Sequence, residues 1–213
     1  MLNDRRRLLI EEGLAELEAQ NLLTLEGKNG DALAHDEAAV WKRVLNFRIA
    51  RFLQPRCVLE THPGLGISTW LYSKANSESC LLSKDIGSGE PIDLVDIDPF
   101  GQPWDTIQTH LDSIMSSRCT MISNGEAFAV RRNLKRAQRY PTLNFGRRLP
   151  RWVIDELIPR LESITDKRCV FFYAFPTTVR VILSNEQFPP STWAGCPQWM
   201  WWLEKNVWRG RYT

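Results

Sequence analysis

The chain has 213 residues, 43% of them hydrophobic and 24% charged, enough for one α/β domain with a sizeable core and ordinary for a globular protein. Charges interrupt the apolar run behind the basic Met1–Arg7, so no signal peptide is expected. No run reaches the roughly 18 apolar residues that would predict a membrane span. The net charge of +2 excludes little, but its distribution is informative. Between Ala127 and Arg151 stand Arg131, Arg132, Lys135, Arg136, Arg139, Arg147, Arg148 and Arg151, with no acid among them. Such a stretch is either a solvated helix face or the electrostatic footprint of a phosphate-rich partner. The cysteines (Cys57, Cys80, Cys119, Cys169, Cys196) are scattered without a CxxC pair. They read as buried, reduced thiols of a cytoplasmic protein, and no metal site is expected.

In chain order, residues 4–23 carry Leu9, Ile10, Leu14, Leu17 and Leu22 near helical spacing, with Asp4 as N-cap. A second helix is expected over 36–53, ending before Gln54-Pro55. Both helices are assigned to covering the sheet or capping its edge, with lining the substrate as the alternative. Cys57-Val58-Leu59-Glu60 is a short buried strand, followed by a glycine turn and a helix to about Ala75. Strand, acid, glycine turn, helix is a nucleotide-binding layout, because glycines let backbone N–H groups approach a ligand at a helix N-terminus. A carboxylate at that strand end suits a cationic ligand better than a pyrophosphate, and Thr69 stands where a dinucleotide pattern needs its third glycine. Cys80–Asp85 is a second strand ending in an acid, with Asp85 about where a ribose-binding carboxylate belongs.

Ile92–Asp98 is an apolar strand running into two carboxylates and stopped by Pro99, which has no N–H for the ladder. Gly101 permits a sharp turn there. Asp98 therefore lies at the carboxyl end of a strand, where open α/β sheets place ligands. A helix over 104–116 and a core strand Cys119–Ser123 follow, then the basic insertion 125–151. Trp152–Ile164 reads as a helix kinked by Pro159, and 169–174 with 178–183 as a closing antiparallel hairpin. The expected fold is a single α/β domain: N-terminal helices over 1–54, a mostly parallel, doubly wound Rossmann-like core over 56–184, and a Trp-rich segment over 185–213. Trp193, Trp199, Trp201, Trp202 and Trp208 are expected to pack on the sheet or at a dimer interface, with stacking on a ligand as the alternative.

Val58-Leu59-Glu60 with Gly64 and Gly66, Asp96-Ile97-Asp98-Pro99-Phe100-Gly101, and the terminal hairpin together resemble class I S-adenosylmethionine-dependent methyltransferases. Asp-Pro-Phe-Gly with an acid two residues earlier is similar to the motif of the tRNA guanine-N2 methyltransferases, where Ser-Pro commonly follows; here Gln102-Pro103 does. Asp-Pro-Phe-Gly-Gln-Pro-Trp also resembles uncharacterised proteins of phages and mobile elements. The resemblance covers about residues 56–184. It implies S-adenosylmethionine as cofactor, held by Glu60, Thr61, His62, Gly64, Gly66, Thr69, Asp85 and Asp96. It implies catalysis at Asp98, Pro99, Phe100 and Gly101 on an exocyclic amino group, with a nucleic acid (tRNA, other RNA or DNA) contacted by the arginines and lysine of 131–148.

The chemistry of the motif agrees. A carboxylate or carbonyl that accepts a hydrogen bond from a ring-conjugated amine holds its lone pair toward a methyl donor. Phe100 can stack on the base. The interval from Gly66 to Asp98 holds only one helix and one strand, so one β–α unit of the full fold is missing. For Asp96 a buried structural role stands beside the cofactor-facing one. For Glu60 and Asp98 the plain readings are helix capping and turn capping, and for His62 a satisfied loop histidine. The competing function is a catalytically inactive, methyltransferase-like module that binds nucleic acid or protein. A nucleotide enzyme using the Gly64/Gly66 turn is a weaker third.

Overall fold

Alternation of side chains along short apolar strands decides the architecture. The structure, a computed structural model, describes residues 2–22, 37–63, 67–78, 80–82, 91–99, 101–126, 152–175, 178–197, 200–204 and 207–209. Helices α1 (Leu2–Ala19) and α2 (Glu37–Leu53) precede β1 (Cys57–Glu60), α3 (Ile67–Ala75), β2 (Cys80–Leu82) and β3 (Leu94–Ile97). Then come α4 (Trp104–Thr109), α5 (Leu111–Ser116), β4 (Cys119–Asn124), a π-helical turn over Val153–Leu157 and α6 (Ile158–Thr165). The strands β5 (Arg168–Phe175), β6 (Thr178–Ser184), β7 (Met200–Glu204) and β8 (Val207–Arg209) complete it.

These strands form one sheet in the order β2-β1-β3-β4-β6-β5-β7-β8. The first four run parallel. β6 slots between β4 and β5, antiparallel to both, and β7 and β8 extend the sheet antiparallel. Val58, Leu94, Met121 and Ile182 face the layer of α1, α2 and α3. Their neighbours Leu59, Val95, Ile122 and Val181 face α4, α5 and α6. Helices thus cover both faces, the doubly wound arrangement of a Rossmann-like α/β fold. β2 is the outermost strand on its side among the described residues. An extra residue in β5 between Cys169 and Phe171 switches faces: Cys169 lies in one layer and Phe171 in the other.

Several boundaries differ from the sequence reading. α1 begins at Leu2, so Asp4 lies inside its first turn and is not the N-cap. The single helix expected over 104–116 is two, broken at His110, whose ψ of 24° leaves the helical region. α5 ends against Lys167, whose Nζ donates to the carbonyls of Ile114 (2.5 Å) and Met115 (3.2 Å). Pro159 follows directly on the π-helical turn, in the first turn of α6, within a helical run that continues from Trp152 to Thr165. The Trp-rich segment supplies β7 and β8, two strands the sequence reading did not assign. Trp193 packs on the sheet, stacked on Phe171 with centroids 4.5 Å apart. Trp199 lies outside the described residues. Cys57, Cys119, Cys169 and Cys196 are buried and form no disulfide among the described residues.

The first two helices are locked together closely. Trp41 Nε1 donates to the Leu9 carbonyl at 3.0 Å. Arg48 pairs with Glu16 and donates to the Ala194 carbonyl at 2.6 Å, tying α1, α2 and the C-terminal segment. At the crossing, a Cβ on Gly13 would stand 2.4 Å from Val40 Cγ1, and β-branched valine has little freedom to turn aside in a helix. Gly13→Ala is therefore expected to lower the unfolding free energy by about 1–3 kcal/mol through overpacking, read as a shifted urea midpoint at constant slope.

Candidate active site

The acids of β3 sit on alternate positions, so Asp96 and Asp98 share the face covered by α2 and α3. Asp96 is fully buried. A carboxylate there survives only with several donors. Arg180 Nη2 donates to its Oδ1 at 2.8 Å, Tyr72 Oη donates to Oδ2, and Asn46 Nδ2 lies 3.5 Å from Oδ2. Arg180 comes from β6, where it pairs in register with Ser123 of β4, and its guanidinium reaches across β4 to β3. It also donates to Ser123 Oγ at 2.8 Å and to Asn46 Oδ1 at 3.0 Å. Burial alone pulls the Arg180 pKa down, but Asp96 and the neighbouring acidic groups outweigh this and hold the guanidinium charged. Burial, and then the Asp96 charge, push the Tyr72 hydroxyl well above its ordinary value, so it remains a donor.

Two residues on, Asp98 emerges at the carboxyl end of β3 with 31% of its side chain exposed. Lys42 Nζ is bonded to its Oδ2, and Arg180 Nη1 stands 4.0 Å from its Oδ1. Burial favours the neutral acid, but Lys42 and then Arg180 more than offset it and hold the carboxyl below its ordinary range. Lys42 and Asn46 are one turn apart on α2, so a single helix face serves both acids. Behind Asp98 the chain turns tightly: Gly101 N donates to the Pro99 carbonyl at 3.0 Å, and Gly101 has φ of 125°. Gly125 N donates to the Gly101 carbonyl at 2.8 Å. A Cβ on Gly125 would stand 3.0 Å from Gly101 Cα. Phe100 lies outside the described residues.

The neighbouring strand presents the other half. Glu60 pairs in register with Asp96, and Thr61 N donates to the Asp96 carbonyl at 3.0 Å, so the loop after β1 runs beside the loop after β3. Glu60 accepts a hydrogen bond from Thr69 Oγ1 on α3 at 2.5 Å. Burial, and then the adjacent Asp96, raise its pKa from 4.5 to about 7, against the pull of Thr69, Lys42 and Arg180. Thr61 Oγ1 and His62 Nδ1 are 2.7 Å apart. Burial, with a smaller contribution from His62, lowers the pKa of His110. Gly64, Gly66 and Asp85 lie outside the described residues.

The exit from β4 is pinned to the same loop. Trp104 Nε1 donates to Glu126 Oε2 at 3.2 Å, and the Arg160 guanidinium lies 3.7 Å over the Trp104 ring. Glu126 N donates to Asn124 Oδ1 at 2.7 Å. Arg131, Arg132, Lys135, Arg136, Arg139, Arg147 and Arg148 lie outside the described residues. Among the described residues no group of acids, histidines and cysteines is arranged to hold a metal, and no helix is long and apolar enough to cross a membrane.

Glu60, Thr61, His62, Thr69, Asp98, Pro99 and Gly101 are thus gathered at the carboxyl ends of β1 and β3. Asp96 lies sealed beneath the site, and its oxygens are taken by Arg180, Tyr72 and Asn46, the buried structural arrangement of its two readings. Sequence reasoning missed Lys42 and Arg180. A lone basic residue in the apolar run Val179-Arg180-Val181-Ile182-Leu183 was the available signal, because a buried arginine needs a buried acid. No protein-family model matches the chain, and no curated protein matches it. Among solved structures it is similar to the O-methyltransferase TomG from Streptomyces achromogenes, involved in tomaymycin synthesis and crystallised in complex with SAM (13% identity, TM-score 0.47, covering 84% of this chain and 90% of that one). It is also similar to the SAH-bound methyltransferase PaMTH1 from Podospora anserina (15% identity, TM-score 0.43, 81% and 88%).

Two outcomes follow for stability. Arg180→Met strands the Asp96 charge and is expected to cost about 3–5 kcal/mol in denaturant unfolding, with a second change, Asp96→Asn, recovering a substantial part. For Glu60, the unfolded carboxyl loses its proton near pH 4.5 while the folded one keeps it to about 7. Stability from this group is therefore full below the unfolded value, declines as pH rises through that window, and is level above it. Glu60→Gln should remove this decline, worth about 3 kcal/mol, in thermal unfolding followed from pH 4 to 8.

Proposed function

We propose that this chain is an S-adenosylmethionine-dependent methyltransferase acting on an exocyclic amino group of a nucleic-acid base. The observation that carries this reading is Asp98: a half-exposed, ionised carboxylate at the carboxyl end of β3, one strand from the loop that follows Glu60.

The fit to the cofactor rests on Glu60. It is a nearly buried carboxylate beside another acid, kept protonated toward neutrality by its surroundings. A ligand bearing a cationic amino or sulfonium group next to it relieves that strain and restores the charged form. The loop residues Thr61 and His62 and the first turn of α3 with Thr69 would line the same pocket. When bound, S-adenosylmethionine supplies an electrophilic methyl group.

The residues of this chain then act on the acceptor. Asp98 accepts a hydrogen bond from the amine N–H and turns the nitrogen lone pair toward the donor side. The Pro99 carbonyl already accepts from Gly101 N and has a second lone pair for the other N–H. With two cations beside it, Asp98 is a weak base. Its role is to orient the amine and stabilise the charge that develops on nitrogen; the proton leaves after transfer. Phe100 offers a face for stacking the base, a contact worth about 1–3 kcal/mol in single-strand binders. The basic residues between Glu126 and Trp152 supply phosphate contacts, and a base within a helix would be extruded first.

Isothermal titration with S-adenosylmethionine should give saturable binding, and Asp98→Ala should keep that affinity while lowering methyl transfer to RNA or DNA about 10²-fold or more. Undiminished transfer in that variant contradicts the assigned role. Salt-sensitive binding of nucleic acid with no heat from the cofactor would favour the inactive binding module instead.

A further inference from the structure

Two polar groups of opposite sense stand side by side at the end of β3. Asp98 is an acceptor with 31% of its side chain exposed, and Lys42, bonded to it, is a donor with 23% exposed. Among the described residues the Lys42 ammonium has Asp98 as its partner. An ammonium carries three N–H donors, so others remain for a ligand. The helix holds Lys42 in this place. Trp41, Val44 and Leu45 on either side are in the core, and Asn46, one turn on, is tied to Arg180 and Asp96. Arg180, the second cation beside Asp98, is only 1% exposed and cannot reach an incoming molecule. Of the two, Lys42 is the one that faces the acceptor.

We propose that Lys42 is a specificity-determining residue of the acceptor pocket, and that with Asp98 it selects an amino group borne on a ring carbon next to a ring nitrogen. The inference rests on the reading of Asp98 as the partner of the amine. In such an acceptor the amine N–H donates and the adjacent ring nitrogen accepts, side by side in one plane. Asp98 takes the first bond and Lys42 gives the second. Adenine N6 beside N1, cytosine N4 beside N3 and guanine N2 beside N3 all present this pattern. A hydroxyl, an aliphatic amine and an aniline do not. The bond from Lys42 draws electron density toward the ring nitrogen, so it does not make the amine a better nucleophile. Its contribution lies in recognition, so the bond is read in the ratio of KM between a natural base and its counterpart lacking the ring nitrogen.

The test uses the purified full chain, tritiated-methyl S-adenosylmethionine and short single-stranded RNA and DNA. Each oligonucleotide carries adenine, cytosine or guanine as its one amino-bearing base, or the counterpart lacking the ring nitrogen: 1-deazaadenine, 3-deazacytosine or 3-deazaguanine. At least one natural base should be methylated, with KM for its deaza counterpart raised about tenfold or more. In Lys42→Met that ratio should fall to about twofold or less, while Lys42→Arg, which keeps its charge and donors, should preserve it. An undiminished ratio in Lys42→Met, equal use of natural and deaza bases by the wild type, or no transfer to any of the three bases overturns the inference. The wild-type comparison stands even if Lys42→Met does not fold. Calorimetry with S-adenosylmethionine separates the failures: no cofactor binding by the wild type removes the methyltransferase reading itself, whereas normal cofactor binding with indifference to the ring nitrogen removes only the role of Lys42.

Discussion

A guanidinium and a carboxylate held face to face in the interior, Arg180 and Asp96, organise the strand ends above them. Neither charge is tolerable there alone, since desolvation of each costs several kcal/mol. Together they draw in Tyr72 from α3, Asn46 from α2 and Ser123 from β4. Five elements are thereby fixed at one level of the sheet, directly beneath the carboxyl ends of β1 and β3. A purely apolar filling would give comparable burial, but it would not set the rotation of α2 or the height of α3 against the strands.

From that layer upward the charges are sorted. Glu60 is pushed toward its neutral form by burial and by Asp96, on the side where a cation would sit. Asp98 is pushed toward its ionised form by Lys42 and Arg180, on the side where a hydrogen-bond donor would sit. Two carboxylates on adjacent strands thus receive opposite treatment from one buried pair and one lysine. Divergence of this kind between neighbouring acids assigns them different tasks. The helix that precedes the first strand is part of this arrangement, because it supplies Lys42 to Asp98 and Asn46 to the layer below.

Much of this was legible in the sequence, and the limits have physical causes. Strand, acid and turn are local features, so Glu60 and Asp98 could be placed at strand ends from a dozen residues each. The doubly wound core and the shortened interval after Gly66 followed from element order. Lys42 and Arg180 could not be placed, because Lys42 meets Asp98 across 56 positions of chain and Arg180 meets Asp96 across 84, through a strand order that composition does not encode. Asp96 looked equally suited to a ligand or to the interior until its partner on β6 was in view. The tryptophan-rich end was read as packing material because its aromatic residues are so dense that strand alternation is obscured; β7 and β8 pair there antiparallel to β5.

The contact between Gly101 and Gly125 has a consequence for descent. Gly101 is held by its own backbone angle, but Gly125 is held by the backbone of Gly101, which no exchange of side chains can move aside. The dependence therefore runs one way. A side chain at position 125 requires the Gly101 backbone to give by a few tenths of an ångström, so a lineage that retains the turn after Pro99 is pressed to keep glycine there, and one that loses the turn is released from that pressure. The exit from β4 then becomes a record, readable in distant relatives, of whether the turn behind Asp98 is still made.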